Sequence, residues 1–255
     1  LSGGTVTIDA AGDITFTGPT TLSDTTLAIE DGGSFTTASI TGSSNGETLT
    51  VDGTLSATGA IALGSGTDAI TVGSTGSLTA TSIDLGDGND TFTLSTGGTL
   101  AVTGTIDGGV GTDTIALTGS GTGTFGAGTV TGFEALDVSG GGTWTLTGTQ
   151  TYETIAVTGG VLNIGVDAGT TATVEATTSI TIDGTTLNIA VDNSLTAPTV
   201  TGGSNVENVT VDGTLMATVA LDGGADSLTI GATGSVVGDI DMGAGDDTVT
   251  LTIGG

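Results

Sequence analysis

The chain has 255 residues, with no Lys, Arg or His and 28 Asp and Glu, so its formal charge is −28. That excludes ordinary nucleic-acid binding, which sets Lys and Arg against phosphates, and it argues against anionic membrane surfaces. No cysteine is present, so disulfides, zinc–thiolate sites and thiol nucleophiles are excluded too.

In chain order, the opening Leu1-Ser2-Gly3-Gly4-Thr5-Val6-Thr7-Ile8 matches the later Leu94–Val102. Neither a signal peptide nor an 18-residue apolar span is evident, so a mature product or an excised piece is expected, with no membrane insertion. Ser/Thr/Gly/Asn tracts at 41–46 and 201–205 read as longer loops. A pattern Gly-x-Gly-x-Asp-x-apolar then recurs at Gly64–Ile70, Gly86–Phe92, Gly109–Ile115 and Gly243–Val249, with a degenerate copy at Asp222–Leu228. Its glycines and aspartate suit a tight turn. The residues after each aspartate alternate: Thr91-Phe92-Thr93-Leu94 puts Phe92 and Leu94 on one face and the threonines on the other.

The middle, 99–177, holds Gly132-Phe133-Glu134-Ala135-Leu136-Asp137-Val138, the single Trp (Trp144) and the single Tyr (Tyr152). Alternation continues through Trp144 with Leu146, Ile155 with Val157 and Leu162 with Ile164. No run of apolar residues at helical spacing is found. Residues 12–98 and 178–255 form an internal duplication: Val51–Leu55 returns unchanged as Val211–Leu215. The closing Leu251–Gly255 matches Leu94–Gly98, so both ends fall at one phase of the repeat.

The separations from Asp68 to Asp90, Asp90 to Asp113 and Asp226 to Asp247 are 22, 23 and 21 residues. A fixed period in this range signals a repeat architecture. The expected fold is all-β: a single continuous parallel β-solenoid over 1–255. Each coil of about 22 residues would hold two strands and two turns, with roughly 11 coils in all.

Two resemblances follow from these residues. Gly111-Thr112-Asp113-Thr114-Ile115, Gly132–Val138 and Gly142-Thr143-Trp144-Thr145-Leu146-Thr147-Gly148 resemble the passenger regions of bacterial autotransporters and related giant surface adhesins. That resemblance implies a right-handed parallel β-helix displayed outside the cell. Gly108–Ala116 resembles the calcium-binding RTX repeat, Gly-Gly-x-Gly-x-Asp-x-apolar-x. Here one turn occurs per coil, whereas RTX nonapeptides come in tandem.

The candidate metal residues are the turn acids Asp68, Asp87, Asp90, Asp113, Asp226, Asp246 and Asp247. Stacked turns would offer calcium oxygen ligands and relieve like-charge repulsion. The alternative is that each aspartate caps its own turn. The Thr-x-Thr pairs Thr91/Thr93, Thr143/Thr145 and Thr248/Thr250/Thr252 would array hydroxyls on a flat face. This resembles ice-binding solenoids, although strand propensity explains the pairs equally. The sequons at Asn89 and Asn208 read as accidental. Catalysis is not expected. Lyase chemistry on acidic sugars wants Arg or Lys, and the carboxylate pairs Asp84/Asp87 and Asp239/Asp241 stand in no single cluster.

The expected function is therefore structural: an extracellular stalk, fibre or matrix filament at a bacterial surface, pairing with itself head to tail or as part of a longer repeat chain. An adhesive module for a surface glycan is the alternative. The lack of any trypsin site fits life outside a cell.

Overall fold

The computed structural model describes residues 1–126, 129–166 and 171–253. Among them every regular element is a β-strand, and coils of about 21 residues stack in parallel as a β-solenoid. No helix long and apolar enough to cross a membrane occurs among these residues. Gly254 and Gly255, which close the sequence repeat, lie outside the described residues. By its contacts the chain divides into two compact units, Leu1–Leu117 with Ala127–Glu134, and Thr118–Gly126 with Ala135–Gly255. One arm of the duplication falls in each.

In the first unit each coil has three short strands rather than the expected two. The coil that begins at Thr48 runs Thr48–Val51, Thr54–Ala57 and Ile61–Gly64. Asp52-Gly53 makes the first corner, and two residues are too few to stand out as a turn in an alternating sequence. One wall stacks Ser2–Ile8, Ser23–Ile29, Thr48–Val51, Ala69–Val72 and Thr91–Ser95 in that order. Its register sets Leu27 on Leu49, Leu49 on Ile70 and Ile70 on Phe92. All four are buried. Each such side chain stabilises the fold by about 1.5–3 kcal/mol relative to exposure, and a one-residue slip would turn the whole column outward.

The turn expected at Gly86–Asp90 begins later than its glycines suggest. Strand pairing runs unbroken over Ile83–Gly88, with Gly86 opposite Gly109 and Gly88 opposite Gly111. Gly64, Gly86 and Gly109 form a column with φ of 102°, 107° and 105°. Glycine lets the backbones kink there without losing their pairing. The tracts at 41–46 and 201–205 are likewise part strand, since Ile40–Ser43 and Ser194–Thr201 extend into them.

In the second unit Thr143–Leu146, Gly160–Ile164, Thr185–Ile189, Asn208–Val211, Ser227–Ile230 and Thr248–Leu251 form one wall. Beside it run the longer strands Gly148–Thr158, Ala172–Ile182, Ser194–Thr201 and Thr214–Ala220. Between Tyr152 and Thr154 the register shifts, so Gln150 and Tyr152 and then Ile155 and Val157 all point inward. The shift resets the period-two alternation at a bend in the strand. Trp144 is a core residue, as its alternation with Leu146 implies, and its Nε1–H donates to the Thr118 carbonyl at 3.2 Å.

Candidate functional site

In the first unit the marker aspartates Asp68, Asp90 and Asp113 sit at one corner, just before the strands of a single wall. Within a parallel wall each strand N–H meets a carbonyl of the adjacent coil. At this corner a carboxylate takes the place of the carbonyl. The N–H of Glu47 donates to Asp68 Oδ1 at 2.5 Å, that of Asp68 to Asp90 Oδ1 at 2.7 Å, and that of Asp90 to Asp113 Oδ1 at 2.7 Å. The N–H of Asp113 then donates to Glu134 Oε2 at 2.7 Å. Backbone bonds run the other way beside them: the Thr91 N–H donates to the Asp68 carbonyl and the Thr114 N–H to the Asp90 carbonyl, both at 2.9 Å.

The second unit repeats the arrangement. The Gly184 N–H donates to Glu207 Oε1 at 2.8 Å, the Glu207 N–H to Asp226 Oδ1 at 2.9 Å, and the Asp226 N–H to Asp247 Oδ1 at 2.9 Å. The aspartates therefore do not bond their own turns. Each caps the backbone of the coil before it. Asp87 and Asp246, also expected at the metal site, are exposed and stand outside this spine.

Asp68, Asp90, Asp113 and Asp226 are at most 1% exposed. Their Oδ2 atoms are buried and meet no hydrogen-bond donor. Burial pushes the Asp68 carboxyl up to about 7, against the lowering effect of the Glu47 N–H and helped by the charges of Asp90 and Glu47. Burial likewise raises Asp90 and Asp113 above the ordinary carboxylate range. Glu207 is raised by burial, with the N–H groups of Gly184 and Gly203 opposing.

This donor set does not fit calcium, which takes six to eight oxygens. One oxygen of each aspartate already accepts an N–H, the other is sealed from solvent, and each coil contributes one carboxylate. Among the described residues no three acidic side chains gather as a metal-binding group.

Sequence reading missed Glu47, Glu134 and Glu207 because it followed the glycines. The better signal is an acid one coil away in phase and followed by x-apolar-x-apolar, as Glu47 is by Thr48-Leu49-Thr50-Val51. It also missed Asn193, which caps a second corner in neutral form. The Ala172 N–H donates to Asn193 Oδ1 at 2.5 Å, and Asn193 Nδ2 donates to the Val191 carbonyl at 2.7 Å.

No known protein family matches the chain, and no curated protein or solved structure does. The likeness to autotransporter passengers and RTX turns has no support beyond the sequence motifs themselves.

Other candidates are less concentrated. Thr48, Ala69 and Thr91 form one outward column, and Ala28, Thr50, Thr71 and Thr93 another, so alanines interrupt the threonine array. In the second unit Thr145, Asn163, Asn188, Thr210, Thr229 and Thr250 align, with Asn188 Nδ2 donating to Asn163 Oδ1 at 2.9 Å. Asn163 and Asn188 border a surface pocket of about 290 Å³ with Gly165, Val166 and Ala190. Asp84 pairs in register with Asp107. Its carboxyl is raised by burial, then by the charges of Asp107 and Asp87. Asp239 and Asp241 are exposed.

Proposed function

We propose that this chain is a non-enzymatic structural β-solenoid of an extracellular stalk, fibre or matrix filament, extended by further coils of the same kind. The observation that carries this reading is the corner spine. Each coil completes the hydrogen bonding of its predecessor even where the backbone cannot, so the stacked coil is itself the working unit. The polar groups most elaborately arranged in the chain serve stacking and are turned away from solvent.

A filament of this kind would grow by stacking coil on coil, each new coil pairing with the exposed strand edge of the last. Concentration-dependent light scattering with negative-stain microscopy tests this. Filaments with a coil-stacking axis support it, and a protein that stays monomeric at millimolar concentration opposes it.

The adhesive reading rests on the Asn163–Asn188 row, whose amides border a surface pocket and suit sugar hydroxyls. Binding on a glycan array that is lost in Asn163→Ala/Asn188→Ala would favour this reading.

A further inference from the structure

The aspartates that resemble a calcium turn are placed wrongly for calcium, which leaves open what balances them. Four features bear on the question. First, Asp68, Asp90 and Asp113 each keep one oxygen that is buried and lacks a donor. Second, their neighbours offer no counter-charge. Asp68 faces Glu47 and Asp90; Asp90 lies between Asp68 and Asp113; Asp113 faces Asp90, Glu134 and Asp107. Every one of these groups is an acid. The chain has no Lys, Arg or His, and its terminal amine bonds the Thr21 carbonyl in an exposed position.

Third, the spine treats its acids unequally. Glu47 Oε1 accepts from the Asp24 N–H at 2.9 Å and the Ser43 hydroxyl at 2.7 Å, and its Oε2 accepts from the Ser43 N–H at 3.1 Å. That carboxylate has donors for both oxygens, and Asp68, Asp90 and Asp113 do not. Fourth, Asn193 does the same capping task with no charge and with its second polar atom satisfied. A neutral cap is therefore sufficient for a corner of this kind.

An ionised carboxylate buried without a counter-ion is far costlier than a neutral acid in the same place. Protonating Oδ2 removes the charge and leaves Oδ1 free to accept the N–H of the preceding coil. We propose that Asp68, Asp90 and Asp113 are proton-binding sites, and that the corner spine is an acid-set latch between coils, closed when protonated and loosened as the pH rises through neutrality.

The sign follows from linkage. These carboxyls titrate above their ordinary value near 3.8, Asp68 at about 7. Between those limits the folded chain holds protons that the unfolded chain has released. The stabilisation is complete below the unfolded value and is lost as pH rises through the folded one. A calcium turn would behave oppositely, since metal binding displaces protons and is favoured at higher pH.

The decisive measurement is a carbon-13 NMR titration of the aspartate side-chain carboxyls in the intact chain. At least one resonance should titrate near 7, and it should vanish in Asp68→Asn. If every aspartate carboxyl titrates below about 5, the latch is wrong. Thermal melts between pH 4.5 and 8.5 at fixed ionic strength give a second readout. The wild-type Tm should fall with rising pH, and the slope should flatten in Asp68→Asn/Asp90→Asn/Asp113→Asn. The exposed-site control Asp31→Asn/Asp87→Asn/Asp137→Asn, which removes the same number of carboxyls, should keep the slope. Equal flattening by both would assign the effect to net charge and overturn the proposal. A chelator-reversible rise in Tm with calcium at pH 7, abolished in Asp90→Asn, would overturn it in favour of a metal site. If the triple variant does not fold, the wild-type NMR titration decides alone.

Discussion

The backbone N–H of Asp90 donates to Oδ1 of Asp113, 23 residues further on, at 2.7 Å. The same geometry links Asp68 to Asp90 and Asp226 to Asp247. A corner is where a stacked-strand fold risks orphaned N–H groups, because the carbonyl that would receive them has turned away. Here a side chain from the following coil replaces it. The spine is thus a continuation of the sheet's hydrogen bonding through side chains.

Removing one member should expose that dependence. Asp113→Ala leaves the buried Asp90 N–H without an acceptor, and its expected cost is about 1–3 kcal/mol of unfolding free energy. Urea denaturation at fixed pH and ionic strength is the appropriate measurement. Asp113→Asn retains a carbonyl acceptor and should cost less. Asp87→Ala, at an exposed position, should stay within about 0.5 kcal/mol of wild type.

The duplication supplies an internal comparison one coil before each spine. Thr25 and Thr185 both stand where the next coil carries a spine glutamate, Glu47 and Glu207. The Thr25 hydroxyl donates to the Ser23 carbonyl at 2.9 Å. The Thr185 hydroxyl is buried and has no partner. Thr185→Val should therefore raise stability by about 1 kcal/mol, and Thr25→Val should lower it by a similar amount. Opposite signs at duplicated positions, read by chemical denaturation, are the test.

The walls of this fold are legible in the sequence because period-two alternation leaves a direct trace. Phe92 and Leu94 read as inward and are buried. The phase from Asp68 to Asp90 to Asp113 read as coil on coil, and it is. The corners were harder. Asp52-Gly53 turns the chain in two residues, so three strands read as two. The direction of the aspartates was illegible for another reason. A Gly-x-Gly-x-Asp turn can point its carboxylate outward to a cation or inward to a neighbour's N–H. The choice depends on which coil stacks above it. Glu47 and Glu207 carried no glycine signature and were found only by their hydrogen bonds.

Net charge gives a prediction independent of any one contact. A charge of −28 repels itself through solvent, and salt screens that repulsion beyond about 10 Å at 0.1 M. Raising sodium chloride from about 0.01 M to 0.5 M at pH 7.5 should raise the Tm. The increment should shrink as the pH is lowered and the net charge falls. Sodium and potassium should act alike, since screening requires no selective site. A differential scanning calorimetry series at constant protein concentration resolves this.

The glycine column tests how closely the coils approach. Gly86 has a φ of +107°, and a methyl group added there would meet the Gly64 carbonyl of the preceding coil. Gly86→Ala therefore combines an unfavourable backbone conformation with a steric clash inside a paired strand. The two coils cannot separate locally without giving up the bonds on either side, so the strain spreads along the wall. A loss of more than about 2 kcal/mol is expected. Gly18 is the matched control, because a methyl group added there meets nothing within 4 Å. Gly18→Ala should be neutral or slightly stabilising through the unfolded chain's lost freedom. If urea midpoints show the two substitutions to be equally mild, the coils are not packed backbone against backbone at this column. The approach of Gly86 to the Gly64 carbonyl would then have to be looser than the structure shows.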